Sequence, residues 1–592
     1  MKQNIIFKFL NLCLTAMVSL TMTSCLDTII LPDHLTVDED FWQNKSQVSA
    51  MVNAAYAEMA SAQVMERLIV WGEFRSDEVV LGKEATGTTH DALEEIAAVN
   101  MQTTNMYASW ASLYSVINRC NIVLARAAEV MDKDPNYTEG DYNVDRSHML
   151  ALRSLCYFYL VRNYRDIPYS GEAFMNSSQN MQIGQSAPMD VINRCIADLE
   201  EAALNAYDSS PLDVGQWRRV GWMTRDAINT LLADIYLWRA AVTHSAADYQ
   251  KCIDYCDMVI ASKKGQHRRT NSETGGEKPF YLATAENMYG ELFVNQNAEE
   301  SIFEIQCRAN TELCRYYYKW SDKNGGYRNS SEGLFKASSF FANASSKHNV
   351  TNTNVFITSD MRYYGSCFSH ASSETTLNVR KMISNLPQTN KEAQARDNNM
   401  WTNANLNQNF PVYRLTDAML MRAEAFVELS ANDANPSDKL REAFNMVQAV
   451  SSRAIYAENQ DKDSIKWADF SGYSKDQMEL FVMQERVREF CFEGKRWYDL
   501  LRYHYRHVNG SDYTKTYGQM QAEDAGFKPV SIYPKMLELM TRAEGSNAAM
   551  VVAKMQHEAF LYLPVPNSDI IVCPLLRQNP AYGSTNEYEK TY

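Results

Sequence analysis

The sequence predicts a mainly α fold of paired, stacked helices with long irregular loop excursions and few short strands. Apolar residues recur at helical spacing through both ends of the chain, start and stop residues fall where that spacing begins and ends, and the texture changes after Lys263. In chain order, Ser46 to Met59 opens with a Ser cap ahead of small and apolar residues. Trp110 to Val130 repeats Leu113, Ile117, Ile122, Val123 and Ala127 near a helical period. His148 to Tyr164 is rich in Leu and aromatics, with Pro168 as a stop signal. Pro188 to Ala206 starts on proline and carries the acidic run Asp198-Leu199-Glu200-Glu201. Asp226 to Val242 and Ser245 to Ser262 make a further pair.

Short connections between these segments imply antiparallel hairpins of helices stacked on one another. Their size is tetratricopeptide-like, although no clean repeat consensus is present. Residues 263–410 are rich in Gly, Asn, Ser, Thr and Lys, and only Glu300 to Ile305 alternates like a strand. Irregular stretches of that length inside a folded protein are usually functional or disordered. Helices are predicted again over Asp417–Leu429, Pro436–Ala454 and Ser474–Arg506, and Phe560 to Leu563 reads as a strand entering a Pro564–Pro566 turn. The chain thus divides into a leader at 1–24, an N-terminal helical region at 25–262, the loop-rich region at 263–410 and a C-terminal helical region at 411–592.

The leader has the layout of a secretory signal. Lys2 and Lys8 precede a short, mostly apolar run from Phe9 to Leu20, too short to span a membrane. Met22-Thr23-Ser24-Cys25 then resembles the lipobox of bacterial lipoproteins, in which the cysteine is lipidated; several acyl chains anchor far more firmly than one. Cys25 is therefore the expected lipid-attachment site. A formal net charge of -15 argues against a general nucleic-acid binder. Twelve cysteines occur without a CxxC and paired-His pattern, so no metal site or cofactor is predicted. Aromatics stand out, with 34 Tyr and 10 Trp, residues suited either to recognition faces or to a large helical core.

Two constellations stand apart. Glu485, Arg486, Glu489, Glu493, Arg496 and Asp499 crowd one stretch, with Arg414, Asp417 and Glu424 on the helix before it. Carboxylates spaced by four share a helix face. A hydrolase needs its acid and base across a cleft, so an ion-pair network linking helices is the better reading. With no Gly-x-Ser-x-Gly, His-Glu-x-x-His or phosphate loop, enzyme chemistry is not predicted. The second is Tyr316, Tyr317, Tyr318, Trp320, Asn324, Tyr327 and Arg328, rings beside amide and guanidinium groups in non-helical chain. Flat rings suit the C–H faces of sugars, and such polar groups read hydroxyls. Trp71, Arg75, Asp77, Tyr363 and Trp401 are weaker candidates. The alternative is that these rings cover the helical core from a loop.

Several segments then resemble one family, the SusD/RagB nutrient-uptake lipoproteins of Bacteroidetes outer membranes. Asp40-Phe41-Trp42 with Val52 to Tyr56 is similar to the family's first helix, and Arg75-Ser76-Asp77 to one of its loops. Trp110, Tyr114, Ile117 and Asn121 follow its W-x3-Y-x2-I-x3-N pattern. Ala151 to Phe158 with Asp166-Ile167-Pro168 resembles A-x-R-A-x-x-Y-F…G-D-x-P, with Arg165 where glycine is usual. Tyr413 to Ala425 resembles R-x-A-D-x-L-L-M-x-A-E-A, with Thr416 for the usual Ala. Glu485 to Leu500 matches E-R-x-x-E-x-x-F-E-G-x-R-W-x-D-L, and Leu563 to Pro566 with Gln578 to Tyr582 resembles P-I-P…Q-N-P-G-Y. The resemblance implies a SusD-like α-α superhelix, a non-enzymatic role, and a place on the cell exterior beside a SusC-like TonB-dependent transporter to which captured glycan is passed. Alternatives are the same architecture binding peptides or another nutrient, a surface-tethered hydrolase, or a structural partner of the transporter without a ligand of its own.

Overall fold

The computed structural model describes residues 41–82, 87–270, 280–307, 316–317, 334–342, 344–345, 355–368, 377–379, 381–382, 408–542 and 548–583. Cys25 and the leader lie outside them, as do Tyr318, Trp320, Asn324, Tyr327, Arg328 and Trp401.

Helix α1 (Lys45–Met59) starts at a reciprocal cap in which Asn44 accepts from the Gln47 N–H and the Gln47 side chain accepts from the Asn44 N–H. Helix α2 (Ala62–Ile69) runs into a π-helical turn, Val70–Phe74. Helices α3 (Ala111–Arg126), α4 (Glu139–Tyr164), α5 (Pro188–Leu204), α6 (Arg225–Thr243) and α7 (Ala246–Thr270) follow, each packed on the next. Helix α4 begins a full two turns before His148, because Thr138 and Asp141 form a capping box upstream. The sequence signal missed it since that first stretch is polar and only the later part is buried.

At the end of α4, Arg165 adopts φ +64° and ψ −75°, a γ-turn closed by the Asp166 N–H donating to Tyr164 O at 2.9 Å. This is the conformation that glycine takes readily and an L side chain does not. The strain is offset by the buried guanidinium, which donates to Asp166 and to the carbonyls of Asp512 and Lys515 and stacks 4.0 Å over Tyr517. The substitution noted at this position therefore keeps the glycine-like turn and converts its side chain into a tie to the C-terminal region.

Helix α7 continues to Thr270, past the predicted end at Ser262, and Lys263 is buried with its ammonium donating to Ser301 O at 2.7 Å. After a short helix α8 (Met361–Ser366), the stack resumes with α9 (Leu415–Ser430), which packs directly on α7, and continues through α10 (Pro436–Arg453) and α11 (Lys475–Phe490). The chain between α7 and α9 is thus an excursion from an otherwise continuous helical stack. Its base is a two-stranded antiparallel ladder, β2 (Ser301–Ile305) with β4 (Phe410–Arg414), in which Phe410 faces Ile305 and Arg414 faces Ser301 with register shifts between them. A second ladder pairs β1 (Val79–Leu81) with β3 (Phe335–Ala337), joining the excursion to the N-terminal region.

Two expected elements differ. Ser474–Arg506 is not one helix: α11 ends at Phe490 and α12 spans Arg496–His507. Phe492 and Gly494 between them take φ +65° and +69°, which no α-helix accommodates. The turn is held by close backbone approach, since a Cβ on Gly72 of the π-helical turn would lie 2.0 Å from Gly494 O. Phe560 and Leu561 lie in a 3-10 turn (Glu558–Leu561) rather than a strand, although Tyr562 is extended and the Leu563 N–H donates to Asn163 O at 2.8 Å.

One large core runs from Trp42 to Leu576 and includes the fully buried rings of Trp71, Trp238 and Trp497; a smaller one joins α9, α10 and α11 around Phe444 and Phe481. Cys252 and Cys256 are both buried free thiols, and among the described residues no disulfide forms.

Candidate ligand-binding site

Polar and aromatic groups come together at several places among the described residues. The first is a charged seam between the excursion and the C-terminal helices. Glu489 on α11 receives Arg362 Nη1 at 2.9 Å, Arg414 Nη1 at 2.8 Å and Arg453 Nη2. Glu485 pairs with Arg362 at 2.8 Å and with Arg488, and Glu493 pairs with Arg414 at 2.8 Å and Lys381 at 2.7 Å. Across α12, Arg486 meets Asp499 at 2.8 Å, Arg502 forks onto Glu424 at 2.8 and 3.0 Å, and Lys495 meets Asp417 at 2.7 Å. Burial opposes the charge on Glu489, but Arg453, Arg414 and Arg362 outweigh it and hold the carboxyl well below its ordinary range. Glu493 is likewise pulled down to about 2, burial being overcome by Arg414, Lys381 and Lys495. Glu489 and Glu493 are thus held ionised at neutral pH, and the carboxylates of the seam are buried away from solvent. Arg362, Lys381, Arg453 and Glu300 complete the seam and were not singled out in the sequence. The signal lay in the stacked carboxylates, whose like charges demand cations from other segments.

The second place is the predicted sugar-facing cluster. Tyr316 and Tyr317 are core residues with no ring face left for a ligand. The Tyr316 hydroxyl bonds that of Tyr107 at 2.5 Å, and its ring lies 5.1 Å from Phe335. Tyr317 sits 6.1 Å from the same ring and 6.2 Å from Phe492. Tyr316, Tyr317 and Phe335 thus belong to one buried aromatic cluster. Of the weaker candidates among the described residues, Trp71 and Asp77 are internal too. Trp71 is buried, its indole N–H donating to Tyr107 O at 2.9 Å. Asp77 is buried and held ionised against burial by Arg496, at 2.8 Å, and Arg542, at 2.6 Å. Arg75 donates to Leu561 O at 2.5 Å and stacks 4.3 Å over Trp497; burial lowers its pKa to about 10. Tyr363 is half-buried, with its hydroxyl on Ala342 O at 3.1 Å. Sequence composition gave rings and polar groups, but not that their hydrogen bonds close on one another.

The third is a cavity of about 150 Å³ between α3, α4 and the C-terminal segment, lined by Trp110, Tyr114, Tyr157, Phe174, Ile183 and Leu576 among others. Its polar side chains already have partners. Trp110 donates to Asp569 at 2.7 Å, Tyr114 to Pro168 O at 2.6 Å, Tyr157 to Ser170 O at 2.8 Å, and Asn121 to the carbonyls of Ser170 and Glu172. It presents apolar walls and cannot read hydroxyls, and it is smaller than an ordinary ligand pocket. Tyr114 and Asn121 thus hold the turn after α4, and Trp110 ties the start of α3 to Asp569 in the C-terminal segment.

Comparison with known proteins agrees with this architecture. A family model described as "SusD family" matches residues 280–582, and one described as "Starch-binding associating with outer membrane" matches residues 31–237. SusD-like protein P38 of Formosa agariphila is 22% identical over 520 residues, 84% of this chain and 92% of that protein. SusD-like protein P2 of the same organism is 22% identical over 507 residues, 82% of this chain and 88% of that protein. Among solved structures, Bacteroides fragilis NanU superimposes with a TM-score of 0.62 at 17% identity, covering 94% of this chain and all of that one (100%). A SusD superfamily protein of Bacteroides thetaiotaomicron gives 0.59 at 16% identity, covering 92% and 99%. The first family model spans about half of the sequence and follows the charged seam and its helices to Tyr582: the chain belongs to the SusD/RagB family.

Proposed function

We propose that this protein captures glycan at the cell surface and hands it to a SusC-like TonB-dependent transporter in the outer membrane. The observation that carries the reading is the pair of family matches, one of them described as starch-binding and outer-membrane-associating, over nearly the whole described chain. In this reading Cys25 is lipidated and tethers the body to the membrane, facing the exterior. No bond is made or broken: the charged seam is scaffold, and capture rests on ring stacking and hydroxyl contacts. Tyr318, Trp320, Asn324, Tyr327 and Arg328 would make those contacts, carried on chain whose two ends are packed into the core by Tyr316, Tyr317 and Phe335.

The test is a glycan array with a peptide pool alongside, probed with the full chain in detergent and with Trp320→Ala/Tyr327→Ala. A glycan signal lost in the double variant supports both function and residues. A glycan signal that survives keeps the function and removes those residues. A peptide signal alone, or silence in both, rejects glycan capture.

A further inference from the structure

The loop between α5 and α6 carries an arrangement that neither the charged seam nor the cavity explains. Among the described residues, Trp217 is the only aromatic side chain in the set of well-exposed large apolar residues, at 44% exposure. It sits in a 3-10 turn, Trp217–Arg219, in a stretch where Asp213, Val214, Gln216 and Arg218 are also exposed.

The ring is not loose. Trp222 packs against it edge-on at 5.5 Å and 84°, Tyr207 against Trp222 at 5.3 Å, and buried His148 against Trp222 at 5.2 Å. The His148 ring accepts or donates with Tyr56 at 3.0 Å, so the column of rings is rooted in α1 and α4. Burial lowers the His148 pKa to about 4, which keeps that root uncharged at neutral pH. The backbone is fixed as well. Gly221 N–H donates to Trp217 O at 2.7 Å, Gly215 N–H to Asn297 O at 3.2 Å, and Glu304 N–H on β2 to Val220 O at 2.9 Å. Gly221 itself lies so close to Gln306 that a Cβ would meet it at 2.6 Å. The Arg218 guanidinium lies 5.5 Å from the Trp217 ring and 5.3 Å from Trp222.

A pre-set indole in a polar rim differs from a protein-docking patch, which needs contiguous apolar area of roughly several hundred Å². The C-terminal run Ile571, Val572 and Leu575 is exposed and apolar and has no such rim ring. A partly exposed indole with a guanidinium over the ring, and with amide and carboxylate groups exposed in the same loop, suits a sugar ring. Its C–H face meets the negative π-face and its hydroxyls meet the neighbours. Holding the ring rigid before binding also removes the ordering cost that an exposed side chain would otherwise carry.

We propose that Trp217, braced by Trp222 and flanked by Arg218, is a carbohydrate contact that stacks on a pyranose ring of the captured glycan. This rests on the glycan-capture reading and assigns it a contact residue on the helical scaffold, separate from the excursion between α7 and α9. Either a neutral or a uronic-acid sugar presents the C–H face; the acidic sugar would in addition pair with Arg218.

The probe is an array of neutral and uronic-acid oligosaccharides, titrated with the full chain in detergent, with Trp217→Ala, Trp217→Phe and Arg218→Ala. Loss of about tenfold or more in Trp217→Ala, largely restored in Trp217→Phe, with an unchanged circular dichroism spectrum, is the expected result. A further loss in Arg218→Ala confined to acidic glycans identifies the uronic-acid class, and an equal small effect on all glycans the neutral class. Wild-type binding by Trp217→Ala overturns the proposal and leaves glycan capture standing. Equal losses in the Ala and Phe variants overturn stacking as the cause. No signal from the unaltered chain rejects glycan capture and this contact together.

Discussion

Tyr316 and Trp217 are both aromatic residues that the sequence sets beside polar neighbours, and the fold gives them opposite surroundings. Tyr316 is enclosed by Tyr107, Phe335 and the core, with its hydroxyl bonded inward. Trp217 turns a face to solvent, is braced from behind, and has exposed polar groups at its rim. The difference is where hydrogen-bonding capacity is satisfied. In the cavity beneath Trp110 and around Tyr316 it closes within the protein; around Trp217 it faces outward. A ring beside Asn, Arg or Asp marks recognition only when those polar groups still face solvent.

The comparison can be broken most forcefully at Tyr316. Tyr316→Ala empties a fully enclosed ring site and should cost about 3–5 kcal/mol, read as a drop in the urea midpoint at unchanged slope. A loss below about 1 kcal/mol would mean that this ring is not part of the core.

Glu489→Gln should cost a similar or slightly smaller amount, about 3–5 kcal/mol at the upper end, because Arg362, Arg414 and Arg453 would be left buried around a neutral amide. The same seam sets the acid limit. Glu489, Glu493, Glu424 and Asp499 are all depressed in the folded protein. Their stabilisation is fully present above the unfolded carboxylate range of about 4–4.5 and is lost as pH falls through the folded values, toward about 2 for Glu493. Glu78 behaves oppositely. It shares the Phe492 N–H with Glu73, and burial together with the Glu73 charge raises its pKa. Glu73 is raised too, by burial against its hydrogen bonds and Lys381, while for Glu78 Asp77 adds to the rise and Arg496 opposes it. The Glu78 contribution is present below about 4.5 and is lost as pH rises through the elevated folded value. Urea midpoints measured from pH 3 to 9 should therefore fall at both ends, and Glu78→Gln should flatten the alkaline side alone. A midpoint that keeps rising into acid would contradict the ionised seam.

A finer cut removes only the Tyr316 hydroxyl. Tyr316→Phe should cost about 1–3 kcal/mol because the Tyr107 hydroxyl loses its buried partner. The smallest effect is expected at Trp217, where replacement by Ala should change stability by no more than about 0.5 kcal/mol while weakening glycan binding.

Much of the architecture was legible. The helical period located α3, α5 and α10 because each has one apolar face, two of them with a recognisable proline start at Pro188 and Pro436, whereas α6 and α9 are buried nearly all round and show as long apolar runs. The break at Cys491–Lys495 was not, because Phe492 carries no local signal for a left-handed conformation; only Gly494 does, and a Cβ there would meet a backbone far earlier in the chain, Leu68 O at 2.9 Å. The excursion was visible as a change of texture, but β1 and β3 are three residues each and too short to show a period. In the seam, Glu485, Glu489, Glu493 and Arg414 were readable from spacing, whereas Arg362 and Arg453 come from segments whose approach is set by packing. Trp217 was missed since exposure of a ring is a property of the folded surface and of Trp222 behind it.

The most direct test of this account is a pair of variants, Tyr316→Phe and Trp217→Ala, each measured for urea unfolding and for binding to the glycan array. The account predicts a crossed result: Tyr316→Phe lowers stability with binding kept at saturation, and Trp217→Ala lowers binding about tenfold with stability kept. If Trp217→Ala unfolds the protein, or if Tyr316→Phe abolishes binding while leaving the urea midpoint unmoved, the division between satisfied core rings and outward-facing recognition rings is contradicted.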